Sequence, residues 1–205
     1  MYYEEKDIVA VVAPHSEITS KIIKKEGIVV YEDNGKGKGA AIKFAINNIA
    51  SEILVFIDTD GSHAPKEIPL LINPLLKNEA DLVIGSRFKG KSEELSGTIE
   101  NFMRLLGNII STLIINILWR RSGKFMSDCQ NGFRAIKSDV ARKLGLLENS
   151  FAIEQEMVIK CLKKCYRIAE IPSYEHRRKG GKSHIYPFFA LPRYILCFLR
   201  EMLPS

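Results

Sequence analysis

Residues Glu52-Ile-Leu-Val-Phe-Ile-Asp-Thr-Asp60 join an unbroken apolar run to two carboxylates one residue apart. The unbroken apolar character predicts a strand buried on both faces. Asp58 and Asp60 then stand at its carboxyl end, which is where open α/β sheets bind ligands. Two carboxylates placed there with no basic neighbour in sequence repel each other unless a cation or a proton intervenes. A divalent metal bridging a diphosphate meets that need. A solvated turn ending a strand explains the pair equally well when the motif is taken alone.

Working outward, apolar runs bounded by turn residues alternate with helical patterns. Upstream, Asp7–Val12 reads as a strand, Ser16–Lys25 as a helix with Ser16 as its cap, and Ile28–Tyr31 as a short strand. The turn Glu32-Asp-Asn-Gly35 leads to a helical stretch from Gly39 to Ile49. Downstream, Pro65–Leu76 reads as a helix that Pro69 and Pro74 should fray or divide, and Asp81–Ile84 as a strand. This rhythm predicts an α/β fold, a mostly parallel sheet with helices on both faces. After residue 90 the pattern changes to a long helical region from Thr98 to Trp119, then a strand at Gly132–Ile136. A helix at Phe151–Lys164 and a strand at Arg167–Ile171 follow. The expected organisation is one domain over 1–184, then an amphipathic extension over 185–205.

The chain has 205 residues, 46% of them hydrophobic and 26% charged, which suits a folded domain with a sizeable core. A net charge of +6 draws attention to anionic partners: phosphate-bearing substrates, acidic membrane surfaces or nucleic acid. No interleaved aromatic-basic pattern supports nucleic acid. The four cysteines have no metal-ligand spacing, and with no signal peptide they predict a reduced, cytoplasmic protein. No run supplies about 20 uninterrupted apolar residues, so no spanning helix is expected. The segment Ile185–Leu203 is apolar and aromatic but carries Pro187, Pro192, Arg193, Arg200 and Glu201, so it suits a membrane surface. Packing against the domain or a partner subunit is its competing use.

Several further groups fall where they could join the two carboxylates. Asn34-Gly-Lys-Gly-Lys-Gly39 is a glycine-rich turn feeding a helix, with amides and lysines that could face phosphate or ribose. Arg87, in Gly85-Ser-Arg-Phe88, follows a strand and should open onto the same sheet edge. Asp128 lies in the polar turn Ser127-Asp-Cys-Gln-Asn-Gly-Phe-Arg134, and Arg177, Arg178, Lys179 and Lys182 form a cationic loop. Each alone suits a solvated face.

Taken in order, Gly37-Lys-Gly39, Asp58-Thr-Asp60, Ser62-His-Ala-Pro65, Gly85-Ser-Arg87, Asp128 to Arg134, Glu170-Ile-Pro172 and Arg178 to Ser183 resemble the family 2 glycosyltransferases. Among these the sequence is most similar to the polyprenyl- and dolichyl-phosphate sugar synthases, over roughly residues 7 to 185. The resemblance implies the nucleotide-sugar-binding GT-A fold, Mg²⁺ or Mn²⁺, a GDP-mannose or UDP-glucose type of donor, and inverting transfer of a hexose to a polyprenyl phosphate. It implies that Asp58 and Lys38 serve the donor, and that Asp58, Asp60 and Ser62 serve the metal. Arg87, Arg104 and Arg178 would grip phosphates, with Lys182 and Ser183 on the acceptor side and Asp128 near the acceptor. The implied location is the cytoplasmic face of a membrane, peripherally bound, with a homo-oligomer as a further expected state.

Two departures stand beside the resemblance. Family members begin with a strand ending in a Pro-x-Tyr-Asn-Glu-like motif, which is absent, and Val12-Ala-Pro-His-Ser16 occupies the stretch that usually carries a base-reading aspartate. The absent strand would lie between Ile8–Val12 and Ile53–Ile57. Direct pairing of those two strands, or an edge filled by another chain, is therefore expected, together with a distorted pocket and weak donor binding. A catalytically inactive sugar-nucleotide or membrane-binding relative is the alternative function. A sugar-phosphate nucleotidyltransferase is a further one, disfavoured because its glycine-rich loop belongs near the chain start.

Overall fold

Strand β1 (Val9–Val12) pairs in parallel with β2 (Val29–Glu32), and helix α1 (Glu17–Lys25) makes the crossover between them. Helix α2 (Lys38–Asn48) then leads into β3 (Ile53–Phe56). The computed structural model describes residues 7–93, 99–121, 123–178 and 187–203. Strands β1 and β2 form a sheet of their own, and β3 opens a second sheet of order β3-β5-β4-β6. Its other strands are β4 (Leu82–Ser92), β5 (Arg134–Lys137) and β6 (Ile168–Glu175).

The expected direct pairing of β1 with β3 is not found, and the two stand at the edges of separate sheets. Helix α2 accounts for this. It packs against β1 on one side and against α5 (Ser138–Leu144) and α6 (Ile153–Lys163) on the other. Its first turn is tied down, since the Gly39 amide donates to the Asn149 carbonyl at 2.9 Å. A Cβ on Gly39 would lie 2.5 Å from the Glu148 carbonyl oxygen, so only glycine allows this approach. A helix fixed in that way does not let β1 slide across to β3.

Within the four-stranded sheet, β5 runs antiparallel to both β3 and β4, while β4 and β6 are parallel. Three of its strands therefore share one direction. Side chains alternate between the faces with the period of two that strands impose. Leu82 and Ile84 of β4, Ile136 of β5 and Leu54 of β3 join one apolar cluster with α2, α5 and α6. Val83 and Ala135 join the other, under α3 (Ile68–Leu76). Helices thus cover both faces. Leu82, Val83, Ile84 and Ile136 are wholly buried, and each such side chain contributes about 1.5–3 kcal/mol.

Several boundaries shift from the sequence reading. Pro65–Glu67 is a separate 3₁₀ turn before α3, while Pro74 stays inside that helix. Strand β4 runs on to Ser92 with an irregularity between Ser86 and Lys91, so Arg87 lies within the strand rather than beyond it. Parallel pairing with β6 holds it extended. Helix α4 (Ile99–Leu118) is long and apolar enough to cross a membrane by length and composition, contrary to expectation. Its interrupting polar residues Asn108, Ser111, Thr112 and Asn116 all sit on the buried side. Helix α7 (Pro187–Met202) closes the described chain, packing on α6 and α4.

Candidate functional site

Asp58 and Asp60 leave the carboxyl end of β3 and each meets a cation. Lys38, from the first turn of α2, places Nζ 2.9 Å from Asp58 Oδ1 and 3.0 Å from Oδ2. The same ammonium is 2.9 Å from Oε1 of Glu154, on α6. Burial would lower the Lys38 pKa, but Glu154 and Asp58 outweigh it and hold the value above its ordinary one. Oε2 of Glu154 is buried with no hydrogen-bond partner among the described residues. Gly132 closes this corner: a Cβ there would lie 2.7 Å from Lys38 Nζ and 3.0 Å from Asp58 Oδ2.

Asp60 divides its carboxylate between two partners. Oδ1 accepts from the Ser62 hydroxyl at 2.6 Å and from the Ser62 amide at 3.0 Å, while Oδ2 lies 3.2 Å from Arg178 Nε. Burial would raise the Asp60 pKa, but the Ser62 bonds and the Arg178 charge prevail and depress it. Asp60 is therefore an anion at neutral pH, oriented by Ser62.

His63 links this edge to a second charged group. Its backbone forms an isolated antiparallel β-bridge with Glu175 of β6, and its ring stacks on Phe133 at 4.9 Å between ring centroids. Glu175 lies 3.5 Å from Arg87 Nη1, and Arg87 clasps Asp128 with Nε at 2.7 Å and Nη2 at 3.0 Å. Burial, helped by the Arg87 charge, lowers the His63 pKa despite Glu175, Asp58 and Asp60. The structure thus brings Lys38, Asp58, Asp60, Ser62, Arg87, Asp128 and Arg178 onto one edge.

Asp128 does not stand open to an acceptor, as the sequence reading expects of it. It has 0% exposure. Besides Arg87, it accepts from Asn108 Nδ2 at 2.8 Å and from the Gln130 amide at 3.3 Å. Burial would raise its pKa, yet the Arg87 guanidinium and the bonds from Arg87 and Asn108 hold it below the ordinary carboxylate value. Arg87 is correspondingly committed to Asp128 and Glu175 rather than open to a phosphate. The pair fixes the turn, and Arg134 secures it from behind by donating to Asn131, Cys129 and Glu154 carbonyls.

Other expectations are also redirected. The glycines of the 34–39 turn serve packing, since Gly37 and Gly39 abut the Glu148–Asn149 backbone and the Gly39 amide is already bonded. Arg104, on α4, pairs with Glu100 at 2.8 Å, one helical turn before Asn108. Lys182 and Ser183 lie outside the described residues. The sequence reading passed over Glu154 and Glu175, and placed Glu170 in a motif without giving it a role. Glu170 accepts from the Ser127 and Asp128 amides, both at 2.8 Å, and so positions that turn. Acidic residues inside helix and strand patterns carry no signal of burial, although Glu170 does precede Ile171-Pro172 in a quoted motif.

Among the described residues no three His, Cys, Asp or Glu groups converge as a metal cage. Mg²⁺ takes one or two carboxylates and completes its shell with water and substrate phosphates. The Asp58–Asp60 pair fits that mode, and Lys38 and Arg178 would have to share their carboxylates with the ion.

Residues 2–145 match the family described as Glycosyl transferase family 2. This chain belongs to that family. It is 27% identical over 172 residues to the low-salt glycan biosynthesis hexosyltransferase Agl6 of Haloferax volcanii, covering 84% of this chain and 40% of that protein. It is 25% identical over 170 residues to a dolichyl-phosphate hexose transferase of the same organism, covering 83% and 70%. The fold matches glucosyl-3-phosphoglycerate synthase from Mycobacterium tuberculosis in complex with Mn²⁺, UDP-glucose and phosphoglyceric acid. That match has a TM-score of 0.71 at 18% identity, over 96% of this chain and 69% of the synthase. The family 2 chain therefore has the GT-A architecture, with the Asp58–Asp60 edge at the carboxyl end of β3.

Proposed function

We propose that this edge binds the diphosphate of a nucleotide sugar with Mg²⁺ or Mn²⁺, and that the hexose passes with inversion to a polyprenyl phosphate such as dolichyl phosphate. The observation that carries the reading is Asp60, an oriented anion between Ser62 and Arg178, beside the Lys38–Asp58 pair. Lys38 and Arg178 supply fixed positive charge where a departing diphosphate gathers negative charge. The bound cation would add to the same neutralisation. The glycosidic bond to the diphosphate breaks as an acceptor oxygen bonds the anomeric carbon from the opposite face, which requires in-line placement.

The enclosure of Asp128 supports a phosphate acceptor. A hydroxyl acceptor needs a general base, worth about 10²- to 10⁴-fold. Asp128 is walled in by Arg87 and Asn108 and is not placed to take that proton. A phosphate acceptor is already ionised at neutral pH and needs no base. The named activity of the dolichyl-phosphate hexose transferase points the same way. In this reading residues 1–184 are the transferase unit, seated peripherally on the cytoplasmic membrane face with help from 185–205.

The test is a transfer assay pairing GDP-mannose and UDP-glucose with polyprenyl phosphate and with a polyprenol, in the presence of Mn²⁺. Sugar on the phosphate alone is expected. Transfer to the alcohol would overturn the acceptor assignment. The enclosed Asp128 also favours a second reading, a donor-binding relative without turnover, which predicts nucleotide binding and no product with either acceptor.

A further inference from the structure

Helix α4 is amphipathic in the reverse sense for a domain helix. Its buried side is mainly polar, with Ile115 alone reaching the apolar core: Asn108 bonds Asp128, Thr112 receives the Cys129 amide, and Asn116 exchanges two bonds with Met126. Its outward side is apolar. Ile99, Phe102, Leu106, Ile110, Leu113 and Ile117 recur every three or four residues along one exposed face. Ile99 is 85% exposed and Ile117 69%. Glu100 is the one polar residue among the exposed positions of the helix, and it is paired with Arg104. At 20 residues, the stripe is about 30 Å long. Exposed apolar surface of this extent marks an interaction site.

From this geometry we infer that α4 lies in the plane of an anionic lipid bilayer and is its principal apolar contact, ahead of the C-terminal segment. The inference rests on the peripheral seating in the preceding reading but names a different element. Helix α4 is held to the domain through its polar face, so it lies along the surface rather than crossing it. Protein interfaces carry about one hydrogen bond per 100–200 Å², whereas this face offers almost no group to make one. Hydrocarbon asks for none. The charges beside it are complementary to anionic headgroups: Arg121 and Lys124 are exposed just past the helix, and Arg193 is exposed on α7. Helix α7 meets the end of α4 where Trp119 and Phe198 stack at 6.0 Å. It leaves Ile195, Leu196 and Leu199 uncovered beside that junction.

The test uses the chain's single tryptophan. In a Trp119→Phe background, Ile110→Trp is titrated with vesicles of phosphatidylcholine and phosphatidylglycerol, with and without brominated acyl chains. A blue shift and quenching by the brominated lipid are expected. Co-sedimentation with the same vesicles should fall about tenfold or more in Ile110→Glu/Leu113→Glu, and less in Ile195→Glu/Leu199→Glu. Absence of quenching in the Ile110→Trp protein would overturn the inference, even if the double substitution fails to fold. So would concentration-dependent dimerisation in light scattering that Ile110→Glu abolishes, because a second copy would then cover the stripe. Nucleotide binding measured without vesicles separates this failure from failure of the site assignment.

Discussion

Arg87 grips Asp128 with two side-chain hydrogen bonds of 2.7 and 3.0 Å, inside a turn where Asp128 has no exposure at all. Removing one partner leaves the other charge buried, which costs about 3–5 kcal/mol. Asp128→Ala should therefore lower the stability measured by chemical denaturation by about that much. The double variant Asp128→Ala/Arg87→Ala should be less destabilised than the sum of the two single variants. A fully stable Asp128→Ala that merely lost activity would show instead that Asp128 acts on substrate.

Acid should act through Asp81 as well. Its carboxylate meets Arg167 and Lys137, and although burial opposes it, these bonds bring the pKa down to about 2. A depressed carboxylate stabilises the fold fully above its unfolded pKa of about 3.9. That contribution is lost as pH falls through the folded value. Asp81→Asn should accordingly flatten the stability profile between about pH 4 and pH 2. An unchanged slope there would contradict the pairing.

Two glycines separate the site from the scaffold. Gly39 faces backbone atoms of Glu148 and Asn149 at 2.5 to 2.9 Å, which have nowhere to go. Gly39→Ala should cost about 1–3 kcal/mol through overpacking. Gly132 faces only the ends of Lys38 and Asp58. Gly132→Ala should displace that ion pair, weakening diphosphate binding while shifting the melting temperature little. The reverse pattern would mean that Gly132 is purely structural.

Much of this was legible in the sequence, for reasons that differ by residue. The Ile53–Phe56 strand and the carboxylates after it announce themselves because the run is apolar throughout, yet it is an edge strand in which only Leu54 is fully buried, not the strand buried on both faces that such a run predicts. Helix α5, with 7 residues, is too short for its period to register. The burial of Asp128 depends on Arg87, 41 residues away in sequence, and no local pattern encodes that meeting. The outward-facing stripe of α4 was hidden for another reason: helical periodicity is the same whether the apolar side points in or out. The absence of a β1–β3 pairing was likewise invisible, because it follows from where α2 is anchored.

The central claim is that Asp60 recruits a cation and a nucleoside diphosphate to the edge beyond β3. Calorimetric titration of UDP and GDP, each with and without Mn²⁺, into the wild-type chain and into Asp60→Ala tests it most directly. The account predicts Mn²⁺-dependent binding of one of the two nucleotides by the wild type, and loss of that dependence in Asp60→Ala. Equal binding by both proteins in the presence of Mn²⁺ would contradict it.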